Sequence, residues 1–245
     1  MARDMTPAQA WTALLEGNAR FVRGEMEHPS QGVEHRADLS TAQNPFAVVF
    51  GCSDSRVAAE IIFDQGLGDL FVVRTAGHVV DTTVIGSIEF GVDILGTPLV
   101  IVLGHDSCGA VGAAAEALTT GRMPRGFVRA IVDRVIPSIV NIPDPEQGLG
   151  HPGDATDGAD VHGRDDSGHG EDGGGRTSGA DRPLLVPTPA TLGREHVRHT
   201  VRMLQSYSAG LSAAVQEGRC AVVGLEYALA DGQVRLVEAS GRIEA

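Results

Sequence analysis

The sequence predicts an α/β fold: a mostly parallel central β-sheet flanked by helices, with an antiparallel edge hairpin and an N-terminal helical arm. Three observations predict it. Short continuous apolar runs at Phe46–Phe50, Leu70–Val73 and Leu99–Leu103 have the pattern of strands buried on both faces. Segments of helical periodicity lie between them. Near the C-terminus, two strand-like runs flank Asp231-Gly232, a hairpin signal. Repeated β-α-β units give parallel pairing, and the terminal hairpin supplies the antiparallel edge.

Each element follows in order. Thr6 caps a first helix with Pro7 in its opening turn; Trp11, Leu14, Leu15, Asn18 and Val22 mark one face, and Gly24 ends it. The first strand is followed by a short helix over Val57–Asp64 and then the second strand. Asp81 caps the next helix, whose inward residues are Val84, Ile85, Ile88, Val92 and Leu95. The third strand runs into Gly104 and His105. Helices are predicted over Cys108–Leu118, Phe127–Val140 and Thr191–Glu217, and the last strands over Cys220–Leu229 and Val234–Glu238.

The 245 residues are expected to form a single domain, 1–245, and the composition excludes several functions. Net charge is −13, which makes nucleic acid and anionic membrane poor partners. All 19 basic residues are arginine. Without lysine there is no pyridoxal Schiff base, no P-loop lysine and no kinase ATP-site lysine. The longest apolar runs, about six residues, fall far short of a membrane span of ~20. The N-terminus reads as an amphipathic helix rather than a secretory signal. Three cysteines argue against a disulfide framework and for a cytoplasmic protein.

Residues 144–182 stand apart as a Gly/Asp-rich insertion, expected to be a disordered spacer. They hold eleven glycines, ten acidic residues and three arginines, with almost no large apolar side chain. Gly148, Gly150 and Gly153 spell G-x-G-x-x-G, but no strand precedes that motif and no helix follows it. His151, His162 and His169 among carboxylates read as part of a solvated acidic segment rather than a metal site.

The chemistry sits at two strand ends, where α/β sheets bind ligands. The first strand ends in Gly51-Cys52-Ser53-Asp54-Ser55-Arg56, the third in Gly104-His105-Asp106-Ser107-Cys108-Gly109. Two thiolates and one imidazole suit zinc, and three protein ligands leave a fourth position open, as a catalytic site requires. A helix starting near Cys108 directs free backbone N–H groups toward thiolates and a bound anion. Core cysteines and a redox pair are the competing readings. The polar Ser, Asp, Arg and Gly neighbours speak against the first, and the absence of C-x-x-C speaks against the second. Cys220 is expected to be an ordinary core residue, and His28, His35, His78, His196 and His199 surface or helix-face residues. Arg56 is placed to hold Asp54 off a metal in a bidentate pair. A structural ion pair that merely stiffens the loop is the plainer alternative.

Cys52-x-Asp54-x-Arg56, followed some fifty residues on by His105-x-x-Cys108-Gly109, resembles the β-class carbonic anhydrases. The resemblance covers roughly Thr6–Ile142 and Pro187–Ser240. It implies zinc held by Cys52, His105 and Cys108, with Asp54 and Arg56 as the catalytic dyad and Asp54 a fourth ligand in a closed state. It implies reversible hydration of CO2 to bicarbonate and a proton by zinc-bound hydroxide. It also implies a homodimer or dimer of dimers, with pockets built across the subunit interface. In that setting Gln31 binds substrate from the partner subunit, Phe71, Ala76 and Phe90 form the apolar wall for CO2, and the Gly109 N–H faces bicarbonate. Phe90 stands where some members carry tyrosine. Val49 stands where the bicarbonate-regulated members carry tryptophan, with Arg74 and Tyr227 at the other positions of that pocket. Two rival functions remain at this stage: hydrolysis of a CO2-like molecule such as carbonyl sulfide or carbon disulfide, and a non-catalytic zinc-binding protein.

Overall fold

The computed structural model describes residues 5–141 and 187–244; the insertion at 144–182, with its glycine motif and three histidines, lies outside the described residues. Among the described residues five strands form one sheet: β1 (Ala47–Cys52), β2 (Leu70–Thr75), β3 (Leu99–His105), β4 (Ala221–Tyr227) and β5 (Val234–Ser240). Their spatial order is β2-β1-β3-β4-β5, parallel except for the antiparallel β4–β5 edge. This is the predicted architecture.

The central strands β1 and β3 are buried along their whole length because both faces are covered. Ala47, Val49, Leu99, Ile101, Leu103, Ala221 and Val223 point into one core, with Leu14 and Phe63. The intervening Val48, Phe50, Val100, Val102 and Val222 point into the other, with Ile88, Val197 and Leu204. The first core lies beneath α1 (Pro7–Arg23) and α3 (Ala59–Ile62); α2 (Val33–Asp38) was not anticipated from sequence. The second lies beneath α4 (Thr82–Glu89), α7 (Pro189–Tyr207) and α8 (Ala209–Gln216). A third, smaller apolar cluster joins α5 (Gly109–Thr120) and α6 (Val128–Val135) to Cys52 and Cys108.

Local chemistry explains most boundaries. Thr6 and Gln9 form a capping box, and Gly24 closes α1 in the left-handed conformation. The Asp81 side chain accepts from the N–H groups of Thr83 and Val84 to start α4. The stripe predicted for α1 is partly wrong: Leu15 and Val22 are exposed, and the buried side is Pro7, Ala10, Leu14, Gly17 and Asn18. Asn18 is buried because it donates to the carbonyls of Ile62 and Gly232 and accepts from the Val234 N–H.

Three further expectations are corrected. The helix predicted over Thr191–Glu217 is two helices, because Ser208 leaves helical geometry and its hydroxyl caps the N–H of Leu211. The helix predicted over Phe127–Val140 gives way to a 3-10 segment at Ile136–Asn141, which contains Pro137. The last two strands are joined by six residues, 228–233, rather than a two-residue turn; Gly232 adopts φ 73° within them.

Helix α7 approaches the sheet closely. A Cβ on Gly104 would lie 2.5 Å from Val197, and one on Gly224 2.7 Å from the same residue. These two glycines let α7 seat directly over the carboxyl half of β3 and β4.

Candidate metal centre

Cys52 ends β1 and His105 ends β3, neighbouring parallel strands, so the sheet delivers both side chains to one edge. Cys108 follows as the N-cap of α5. One ligand atom from each of the three lies within 4.8 Å of the others, and all three residues are buried. The His105 Nδ1–H donates to the Asp106 carbonyl at 2.7 Å, which assigns the lone pair to Nε2. That Nε2 is buried and has no hydrogen-bond partner among the described residues. A buried imidazole lone pair beside two thiols fits a soft divalent cation such as zinc, with the carbonyl of Asp106 fixing the tautomer from behind.

The two thiols share a hydrogen bond. A hydrogen bond shared with Cys108 pulls Cys52 well below the usual thiol range against the opposing effect of burial, helped by His105 and by the N–H of Gly77. The same shared bond, with burial, pushes Cys108 up; the N–H groups of Val111 and Ala110 oppose it. Gly77 donates its N–H to Cys52 Sγ at 3.3 Å. A dication neutralises two thiolates, so the donor set is balanced in charge as well as in softness.

Asp54 faces this group, with Oδ2 3.8 Å from His105 Nε2. Arg56 binds it in a fork: Nε to Oδ1 at 2.9 Å and a terminal nitrogen to Oδ2 at 2.7 Å, with the Arg56 N–H also on Oδ1 at 2.9 Å. The Arg56 side-chain bonds hold the carboxyl well below the usual carboxylate range. Arg74, on β2, donates to the carbonyls of Cys52 and Asp54.

The remaining candidates are distributed. Ala76 is exposed in the turn Ala76–His78, next to Gly77, and Gly109 is exposed at the first position of α5. Phe71 and Phe90 stack with centroids 6.0 Å apart and planes 29° apart, and Phe90 is partly exposed. Phe71 pairs in register with Val48, whereas Cys52 pairs with Thr75. Four residues along a strand span about 13 Å, so the aromatic pair sits well below the cysteines of its own chain. Gln31 is exposed before α2. Among the described residues no hydrogen bond or ion pair joins it to the cysteine group. Val49 and Cys220 are fully buried.

Two histidines are more deeply buried than the sequence suggests. His78 and His196, expected to be surface or helix-face residues, are both buried, with ring centroids 4.3 Å apart and planes tilted by 37°. His196 bonds the Gly77 carbonyl at 2.9 Å and Ser138 Oγ at 2.8 Å. Burial holds its pKa down at about 4 and drives that of His78 well below the ordinary histidine value. The signal was present: Leu192, His196, Thr200 and Leu204 recur every fourth residue, and all four are buried on α7.

A carbonic anhydrase family profile matches residues 47–159. The carbonic anhydrase of Mycolicibacterium smegmatis is 48% identical over 233 residues, covering 95% of this chain and 94% of that one. Carbonic anhydrase 2 of Mycobacterium tuberculosis is 46% identical over 240 residues, covering 98% and 97%. The fold is also that of solved β-carbonic anhydrases. A tetrameric enzyme of Sordaria macrospora aligns with TM-score 0.61 at 18% identity, over 86% of this chain and 90% of that one. The Coccomyxa enzyme, solved with acetazolamide, aligns with TM-score 0.60 at 20% identity, over 93% and 87%. With near full-length relatives at this identity and a sheet of the same architecture, the chain belongs to the carbonic anhydrase family and has the fold of its β class.

Proposed function

We propose that this chain catalyses the reversible hydration of CO2 to bicarbonate and a proton, with one zinc ion held by Cys52, His105 and Cys108. The observation that carries the reading is the buried Cys-His-Cys group with its unpartnered imidazole nitrogen, set beside the Asp54–Arg56 fork. Bound there, zinc supplies a Lewis acid that brings the pKa of a coordinated water down toward about 7.

The chain's own residues do the rest. The Arg56 fork keeps Asp54 ionised and fixes Oδ2 where it accepts a hydrogen bond from the attacking water. The water is thereby oriented with a lone pair free for the carbon of CO2. One C–O bond forms, one C=O π bond opens, and the proton leaves to solvent. The negative charge of bicarbonate meets the N-terminus of α5, where the Gly109 N–H is free of intrahelical bonding. Asp54 is close enough to the ligand group to serve as a fourth ligand when Arg56 releases it.

Phe71, Phe90 and Gln31 fit a role in the site of a second copy. Phe71 lies too far along β2 to reach the cysteines of its own chain, and Phe90 and Gln31 are open to a partner. We therefore assign the apolar wall and the substrate amide to an interface between copies in a homodimer or dimer of dimers, with Ala76 lining the turn on the metal side. All three cysteines are free, in keeping with a reducing cytoplasm. Among the described residues no helix is long and apolar enough to cross a membrane.

Stopped-flow CO2 hydration and zinc determination on the same sample test the reading. The expected result is turnover proportional to zinc, one ion per chain, lost in Cys108→Ser and His105→Ala and kept in Cys220→Ser. A fully zinc-loaded protein without CO2 hydration would overturn the activity. Full zinc in Cys108→Ser would overturn the ligand set.

A further inference from the structure

Helix α7 contributes no candidate ligand, yet one of its side chains is tied to the metal centre through a single turn. The turn Ala76–His78 follows the end of β2, and two of its residues have left-handed backbones: Gly77 at φ 66° and His78 at φ 42°. Such a conformation is costly for histidine and persists only when its surroundings over-determine it. The surroundings here are specific. The Gly77 carbonyl is an acceptor only, so the His196 Nε2 bonded to it carries the hydrogen, and Nδ1 accepts from the Ser138 hydroxyl. On its amide side, Gly77 donates to Cys52 Sγ. A Cβ at Gly77 would lie 2.7 Å from the Ala110 side chain, in the first turn of α5 beyond Cys108.

We propose that His196, oriented by Ser138, is a positioning residue for the metal centre: by bonding the Gly77 carbonyl it fixes the left-handed backbone of Gly77, so that the N–H on the other side of its Cα stays aimed at Cys52 Sγ. The inference rests on the zinc reading of that site. His196 is well placed to act as a fixed strut. Its neighbour Val197 packs directly on Gly104, the residue before His105, so the helix carrying the strut is registered against the strand carrying a ligand. His196 is fully buried and Ser138 beside it is completely so; neither bond competes with bulk water. Ser138, His196 and Cys52 are thus linked through the backbone of Gly77, from the 3-10 segment to the metal ligand, and outer-shell partners of this kind orient ligating groups.

The test compares metal-free full-length protein and its variants by chelator competition for zinc, and by the thiolate-to-cobalt(II) charge-transfer band after cobalt loading. His196→Phe keeps a ring against His78 but removes the donor. It is expected to weaken zinc binding about tenfold or more, within the 10–100-fold range of outer-shell losses, and to shift the cobalt band. His196→Gln restores an N–H at the same reach and is expected to stay within a few-fold of wild type. Ser138→Ala is expected to fall between them. Leu204→Ala, a core change on the same helix, serves as a control that loosens α7 without touching the strut. Wild-type affinity and an unshifted band in His196→Phe would overturn the proposal, as would an equal loss in Leu204→Ala. If His196→Phe does not fold, Ser138→Ala decides by the same two readouts. A wild-type chain that takes up neither zinc nor cobalt would overturn the metal reading and this inference with it; tight zinc in wild type with no effect of His196 overturns this inference alone.

Discussion

Arg74 binds Cys52 by its main chain: Nε of Arg74 donates to the Cys52 carbonyl at 2.9 Å, while a terminal nitrogen reaches the Asp54 carbonyl at 2.7 Å. One guanidinium on the edge strand therefore clamps the end of β1 and the loop after it, which carry a candidate metal ligand and the carboxylate beside it. Arg74→Met keeps the apolar stem and removes the clamp. A buried charge-assisted bond is worth about 1.5–3 kcal/mol, but Arg74 is exposed, so the total loss of stability is expected to be only about 1–2 kcal/mol. The effect on turnover is expected to be larger, about tenfold, because the Asp54 carboxylate loses its fixed placement. Urea unfolding and CO2 hydration on one zinc-loaded sample check this, and unchanged turnover would count against the clamp.

Gly17 sits in the middle of α1, where propensity alone favours alanine by about 1 kcal/mol. Packing decides otherwise. A Cβ there would lie 1.9 Å from the Phe63 carbonyl oxygen and 2.8 Å from its carbon, both backbone atoms. Gly17→Ala is therefore expected to destabilise by about 1–3 kcal/mol net, as α1 is forced off α3. The denaturant midpoint measures it; a rise in midpoint would mean that α1 shifts freely.

That glycine shows why the sheet was legible in the sequence and some of the helix packing was not. The central strands β1 and β3 read correctly because burial on both faces forces continuous apolar runs, and the edge hairpin because of its turn signal. Cys52, Asp54, Arg56, His105 and Cys108 were equally visible, since strand ends place them and their residue types are rare together. Leu15 and Val22 misled because an apolar side chain on a helix is free to stay exposed. The break at Ser208 was hidden, since serine suits both a helix surface and a cap. The spacing of His196 from Leu192 and Leu204 places it in the core, a signal visible only when the three are taken together.

Asp64 ties α1 to the chain that follows it. Arg20 Nε donates to it at 2.6 Å, and the N–H groups of Glu27 and His28 each do so at 3.0 Å. Burial raises its pKa, but these three donors outweigh burial and the net shift is downward. A carboxyl depressed on folding adds stability that is present above its unfolded value, near 4, and is lost as pH falls through the lower folded value. Asp64→Asn is expected to cost about 2–4 kcal/mol at pH 7, since it leaves Arg20 unpaired and turns an amide N–H toward donors. The gap between variant and wild type should narrow below about pH 4 and close once Asp64 is protonated. Acid unfolding followed by circular dichroism gives both curves; a gap independent of pH would show that the charge of Asp64 is not what matters.

Arg56 holds both oxygens of Asp54. With the fork in place, both carboxylate oxygens are engaged and Oδ2 stays 3.8 Å from His105 Nε2. Removing the guanidinium takes away the first cause of the depressed Asp54 pKa, and the carboxylate then turns to the strongest positive charge within reach. With zinc present that charge is the metal, so Arg56→Ala is expected to retain one zinc per chain and lose CO2 hydration by at least about a hundredfold. The double variant Asp54→Asn/Arg56→Ala separates blockage from simple loss of the dyad, because an amide is a much weaker competitor for the metal. If Asp54 blocks the site, the double variant recovers part of the activity lost in Arg56→Ala, and thiocyanate, a small anion that seeks an open metal position, binds the double variant but not Arg56→Ala. If both variants are equally inactive and bind the anion equally, Asp54 does not close the site when released. An active Arg56→Ala enzyme across pH 6 to 9 would show that the fork is structural and that Arg56 has no part in the reaction.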